Sequence, residues 1–123
     1  MIYKRVSTFY ICPTPIGNLE DTSNRIIETL KFVDLIYCED TRRASKFTNN
    51  FSIETPLKSF FLGNEFKRNE EINKHLSEGK NVALISDAGT PLISDPGSEL
   101  LSYLIANEHN IVSIPGPSSV LTA

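Results

Sequence analysis

Five short apolar runs, none alternating with polar residues, are separated by segments with helical spacing, and this alternation most constrains the fold. The runs are Phe9-Tyr-Ile-Cys12, Asp34-Leu-Ile-Tyr-Cys38, Leu57-Lys-Ser-Phe-Phe-Leu62, Asn81-Val-Ala-Leu-Ile-Ser86 and Ile111 to Ile114. A strand exposed on one face alternates apolar and polar residues; a strand covered on both faces reads as continuous apolar sequence. The sequence therefore predicts an α/β fold of three αβα layers around a mainly parallel five-stranded sheet.

The intervening segments have helix signals. Asp21-Thr-Ser-Asn opens the first, with Ile26, Ile27, Leu30 and Val33 at helical spacing. Thr41 to Asn50 is the second, with Ala44, Phe47 and Thr48 on one side and Asn49-Asn50 as its stop. Glu65 to Glu78 is charged and amphipathic and ends at Gly79. The fourth starts at Asp95 or Ser98 and reaches Asn107. Pro13 is expected to end the first strand.

At 123 residues the chain is one domain of ordinary size. No window approaches the ~18 apolar residues of a membrane helix, and the first residues do not read as a signal peptide, so a cytoplasmic location is expected. Cys12 and Cys38 read as small buried hydrophobes, and His75 and His109 as surface residues. The net charge is −3, and all 12 Lys and Arg lie in residues 1–80, against eleven acids there. Residues 81–123 carry four acids and no base, so an anionic polymer has to dock elsewhere.

Turn chemistry concentrates after four of the strands. Ser86-Asp-Ala-Gly-Thr-Pro-Leu-Ile-Ser-Asp-Pro-Gly97 packs two Asp turns, two glycines and two prolines into twelve residues. Such a segment holds backbone in a fixed, ligand-facing shape. Pro13-Thr-Pro-Ile-Gly-Asn18 takes the place of a dinucleotide-binding loop but lacks its glycine pattern. In Cys38-Glu-Asp-Thr-Arg-Arg43, Asp40 suits a helix cap. Arg42 and Arg43 oppose the helix dipole there, which points to an anionic partner or to salt bridges with Glu39. Pro115-Gly-Pro-Ser-Ser119 offers amides and hydroxyls at a helix start. Asp87 and Asp95 alone make a poor metal site, and none is expected.

These four stretches, in this order, resemble the tetrapyrrole-methylase superfamily of S-adenosylmethionine-dependent methyltransferases, above all its small-subunit ribosomal RNA branch. The resemblance implies methylation of the ribose 2′-hydroxyl of a decoding-centre cytidine in 16S rRNA. It also implies two α/β domains with the cofactor in the cleft between them, and a homodimer. Residues 1–123 then form the amino-terminal domain, with the second domain absent, and are expected to be inactive alone. Matched by position, the cofactor contacts implied are Ile16, then Gly89, Thr90 and Ile93, then Ser118 and Ser119. Asp87 stands in for the Gly-Asp-Pro of other branches, where this chain reads Ala88-Gly-Thr-Pro91. A ribose hydroxyl needs a base, and Glu39 and Asp40 are the candidates, with Arg42 positioning a phosphate or the base. A small tetrapyrrole-like substrate and a non-catalytic folded fragment are the alternatives.

Overall fold

The computed structural model describes residues 7–14, 23–60, 65–87 and 97–114. The strands are β1 (Thr8–Thr14), β2 (Leu35–Cys38), β3 (Leu57–Ser59), β4 (Val82–Asp87) and β5 (Asn110–Ser113). Between them lie α1 (Asn24–Phe32), α2 (Thr41–Asn50), α3 (Glu65–Ser77) and α4 (Gly97–Ala106). The sheet order is β3-β2-β4-β1-β5, and every pairing is parallel.

Side chains alternate between the two faces, and both faces are apolar. Cys12, Ile36, Cys38, Ala83 and Ile85 point to one side and pack with Ile26 and Leu30 of α1 and Ala44 and Phe47 of α2. Phe9, Ile11, Tyr37, Val82 and Leu84 point to the other, against Ile72 and Leu76 of α3 and Leu100 and Leu104 of α4. This is why the strands show no polar alternation in sequence.

The helix placement follows from crossovers that all share one hand, as parallel strand connections do. Connections from β1 to β2 and from β2 to β3 step one way along the sheet and use the α1–α2 face. Connections from β3 to β4 and from β4 to β5 step back and use the opposite face. The reversal puts β2 and β4 side by side with their following helices on opposite faces. Their carboxyl ends thus flank a topological switch point, where open α/β sheets bind ligands.

Two strand ends differ by more than one residue from the sequence expectation: β3 ends at Ser59 rather than Leu62, and β1 runs on past Pro13. β1 continues through Pro13 to Thr14, pairing Pro13 with Ser86 and Thr14 with Asp87. Ile11 accepts from the Ile114 amide, so odd-numbered positions of β1 turn their polar groups toward β5, whose pairing ends at Ile11 and Ser113. Pro13 has the same phase one step beyond that end, so its missing N–H removes no ladder bond.

Candidate functional site

The sheet sets the strands that lead into the signature stretches side by side. The stretches after β2, β4, β1 and β5 leave from four consecutive strands in the order β2-β4-β1-β5, all at the carboxyl edge. Only β3, at the far edge, lacks one. Ile16, Gly89, Thr90, Ile93, Ser118, Ser119 and Asp95 lie outside the described residues, but the strands that deliver them are adjacent. Asp87 ends β4 beside the fully buried Thr14 of β1.

The β2 side of the edge is described side chain by side chain. Asp40 is the N-cap of α2: its Oδ1 accepts from the Arg42 amide at 2.9 Å and the Arg43 amide at 3.3 Å. Glu39 is exposed, and no described residue hydrogen-bonds or pairs with its carboxylate. The two neighbours thus differ: Asp40 holds the helix start, whereas Glu39, at the mouth of the switch point, is unpartnered among the described residues. Arg42 and Arg43 are exposed and form no ion pair among the described residues. The salt bridge to Glu39 that the sequence left open is not made.

Both cysteines are free and buried. Burial pushes the Cys12 thiol up to about 12. Burial, and then the Asp40 carboxylate, push Cys38 up to about 11, so neither is a thiolate nucleophile near neutrality. Among the described residues no three His, Cys, Asp or Glu converge as metal ligands.

The histidines depart from expectation. Both are partly buried: His109 Nε2 lies 2.6 Å from Asn73 Oδ1, joining the approach to β5 to α3, and His75 Nδ1 is enclosed without a hydrogen-bond partner. Burial, and then the charge of Lys80 nearby, lower the His75 pKa. The spacing of α3 explains this, since Asn69, Ile72, Asn73 and Leu76 face inward and carry His75 partly with them.

A polar network behind β2 escaped the sequence reading. The Tyr37 hydroxyl donates to Glu71, which also takes Lys58 Nζ at 3.0 Å and Arg68 at 3.1 Å. Arg68 Nε reaches the Ser59 carbonyl at 2.9 Å. Burial works to raise the Glu71 pKa, but bonds from Tyr37 and Lys58 and the charges of Lys58 and Arg68 outweigh it and hold the carboxyl below its ordinary value. Burial first, then the bond to Glu71, raises the Tyr37 pKa. The sequence signal was a tyrosine inside a doubly covered strand, whose hydroxyl needs a partner. The network clamps β2, β3 and α3 two residues before Glu39.

A groove of about 320 Å³ lined by Tyr10, Arg25, Glu28, Thr29, Phe32 and Ile114 runs along α1 on the other face of the sheet. Its wall includes an edge-on pair of Tyr10 and Phe32 rings with centroids 6.4 Å apart.

Fold and edge together define a parallel α/β domain in which four signature stretches follow the carboxyl ends of neighbouring strands. The sequence matches the family described as Tetrapyrrole (Corrin/Porphyrin) Methylases over residues 8–123, and the chain belongs to that family. It is 47% identical over 114 residues to the Ribosomal RNA small subunit methyltransferase I of Bacillus subtilis, covering 93% of this chain and 39% of that protein. Its counterparts of the same name in Thermotoga maritima and Escherichia coli O157:H7 are 48% and 45% identical, over 92% and 93% of this chain and 51% and 40% of theirs. The chain thus spans about two fifths to one half of the length of these relatives. In three dimensions it resembles the uroporphyrin-III-C-methyltransferase of Thermus thermophilus, with a TM-score of 0.69 at 16% identity, over 89% of this chain and 47% of that one. That likeness concerns the fold alone.

Proposed function

We propose that the chain is the amino-terminal, cofactor-binding domain of a two-domain, homodimeric methyltransferase that uses S-adenosylmethionine to methylate a ribose 2′-hydroxyl of a cytidine in 16S rRNA. The observation that carries this reading is that the four signature stretches follow four consecutive strands of the sheet. The identity of 45–48% to relatives named for small-subunit ribosomal RNA supports that substrate class.

The exposed Glu39 at this edge fits the cofactor in charge, since a carboxylate complements a sulfonium cation. Ile16, Asp87, Gly89, Thr90, Ile93, Ser118 and Ser119 are the residues assigned to hold it. When bound, S-adenosylmethionine supplies an already activated methyl group. The work left to the protein is alignment, exclusion of water and removal of one proton. Glu39 takes the proton from the attacking 2′-hydroxyl, because its carboxylate is unengaged. Asp40 fixes the start of α2, and so the place from which Arg42 offers its guanidinium to a substrate phosphate. The Tyr37–Glu71 clamp keeps the end of β2 in position.

The test is methyl transfer from labelled S-adenosylmethionine by the intact protein to small-subunit ribosomal RNA, free and in assembled subunits, with a tetrapyrrole as the competing substrate. The product is mapped by alkaline hydrolysis, which a 2′-O-methyl blocks at one linkage. Label in the tetrapyrrole alone, or on a base rather than a ribose, removes the reading.

A further inference from the structure

The two helical layers carry opposite charge. α1 and α2 hold five Lys and Arg against one Glu, a net of +4; α3 and α4 hold three against four Glu, a net of −1. Within the basic layer α2 is the extreme case, with Arg42, Arg43 and Lys46 and no acid. All three are exposed, while Ala44, Phe47 and Thr48 bury the opposite side. Spacings of three and four residues place Arg42, Arg43 and Lys46 on one stripe. The ion pairs of the described residues use Lys58, Arg68 and Lys80, none of them on α1 or α2. Three cations on one short helix, with no ion pair among the described residues, repel one another, and two of them also oppose its dipole. An arrangement that costs stability without a partner and gains it with one fits a polyanion.

We infer that the outer face of α2, with Arg43 and Lys46 beyond Arg42, is a docking ledge for the phosphodiester backbone of the RNA substrate. The inference rests on the RNA reading above and adds the surface and direction of approach. The stripe begins beside Glu39 at the switch point and runs down α2, so the strand leaves the edge across the α1–α2 layer. Its contacts are to phosphates, so they set affinity and register rather than sequence choice. The opposite layer, with its excess of acids, is excluded as a path.

The experiment uses the intact protein and a protein-free transcript of small-subunit ribosomal RNA as probe, with assembled subunits in parallel. Arg43→Gln/Lys46→Gln is compared with Lys67→Gln/Lys74→Gln on exposed positions of α3. The Asp40 cap uses the Arg43 amide, which the substitution keeps, and thermal unfolding confirms the fold. Loss of two phosphate contacts is expected to flatten the slope of log affinity against log salt by about 1.4, at roughly 0.7 per contact with single strands. Affinity should fall about tenfold or more, KM for RNA should rise, and kcat should hold. The α3 double variant should match wild type, and Arg43→Lys/Lys46→Arg should restore both affinity and slope. If wild type binds and methylates RNA while the α2 variant keeps its affinity and slope, the ledge is overturned and the RNA reading stands. A loss seen with assembled subunits but not with free RNA assigns α2 to a ribosomal protein and also overturns it. If wild type neither binds nor methylates RNA, it is the functional reading that falls.

Discussion

At the residue scale, Glu39 and Asp40 sit side by side with the same functional group and opposite commitments. Asp40 spends one oxygen on two amides at the start of α2, and Glu39 spends none among the described residues. Three substitutions separate the roles. Asp40→Ala should lower stability by about 1 kcal/mol, the usual cost of a lost cap, whereas Asp40→Asn keeps the cap and should keep both stability and turnover. Glu39→Gln should leave the unfolding midpoint unchanged while kcat drops about a hundredfold or more, the scale of a general base. Denaturant unfolding and single-turnover methyl transfer on the intact protein check both. An inactive Asp40→Asn beside an active Glu39→Gln exchanges the two assignments. The cap was legible in the sequence because Asp before a helical pattern is a local signal. The freedom of Glu39 was not, because it depends on what the fold leaves unpaired.

Helix ends carry a lesson at the element scale. α3 ends as the sequence indicates: Gly79 has φ 87°, its amide reaches the Leu76 carbonyl, and Lys80 reaches that of His75, the paired bonds of a Schellman motif. α2 and α4 end with the same bonds but without glycine. Ser52 at φ 57° and Glu108 at φ 61° take the left-handed position, with Ile53 bonded to Thr48 and His109 to Leu104. Asn49-Asn50, the stop read from sequence, are the last two residues of α2, which ends at Asn50 as expected. A non-glycine residue there costs about 1–2 kcal/mol, partly offset by the greater chain entropy that glycine loses on folding. Ser52→Gly and Glu108→Gly should therefore each stabilise the domain by about 0.5–1 kcal/mol in urea unfolding, and additively, since they cap different helices. A destabilising result at either position would mean its side chain makes contacts worth more than the backbone strain. Strand positions were easier to read, because continuous apolar runs follow directly from cover on both faces. The Tyr37–Glu71 network was not legible, because it joins residues 34 apart in sequence.

At the scale of the whole molecule, the order β3-β2-β4-β1-β5 turns four separated motifs into one edge. Local patterns can name the loops and predict a parallel sheet, but strand order is a non-local property that no single segment encodes. The chain spans 39–51% of the length of relatives it matches, and the reading above gives its cofactor site a second wall from another domain. A ligand site buries most of its occupant's surface, and one open wall removes much of that burial. Calorimetric titration of S-adenosylmethionine into residues 1–123, and into a protein longer by about one domain of ~100–150 residues, therefore gives contrasting expectations. The longer protein should bind with a negative heat-capacity change, as apolar surface is buried, and the shorter one should give no measurable heat. Equal affinity in both would place the whole site on the four loops of this sheet and discard the shared cleft. Absence of binding to the longer protein would remove the methyl donor, and with it the chemistry assigned to Glu39. The comparison isolates the second wall, because the edge built by β2, β4, β1 and β5 is common to both proteins.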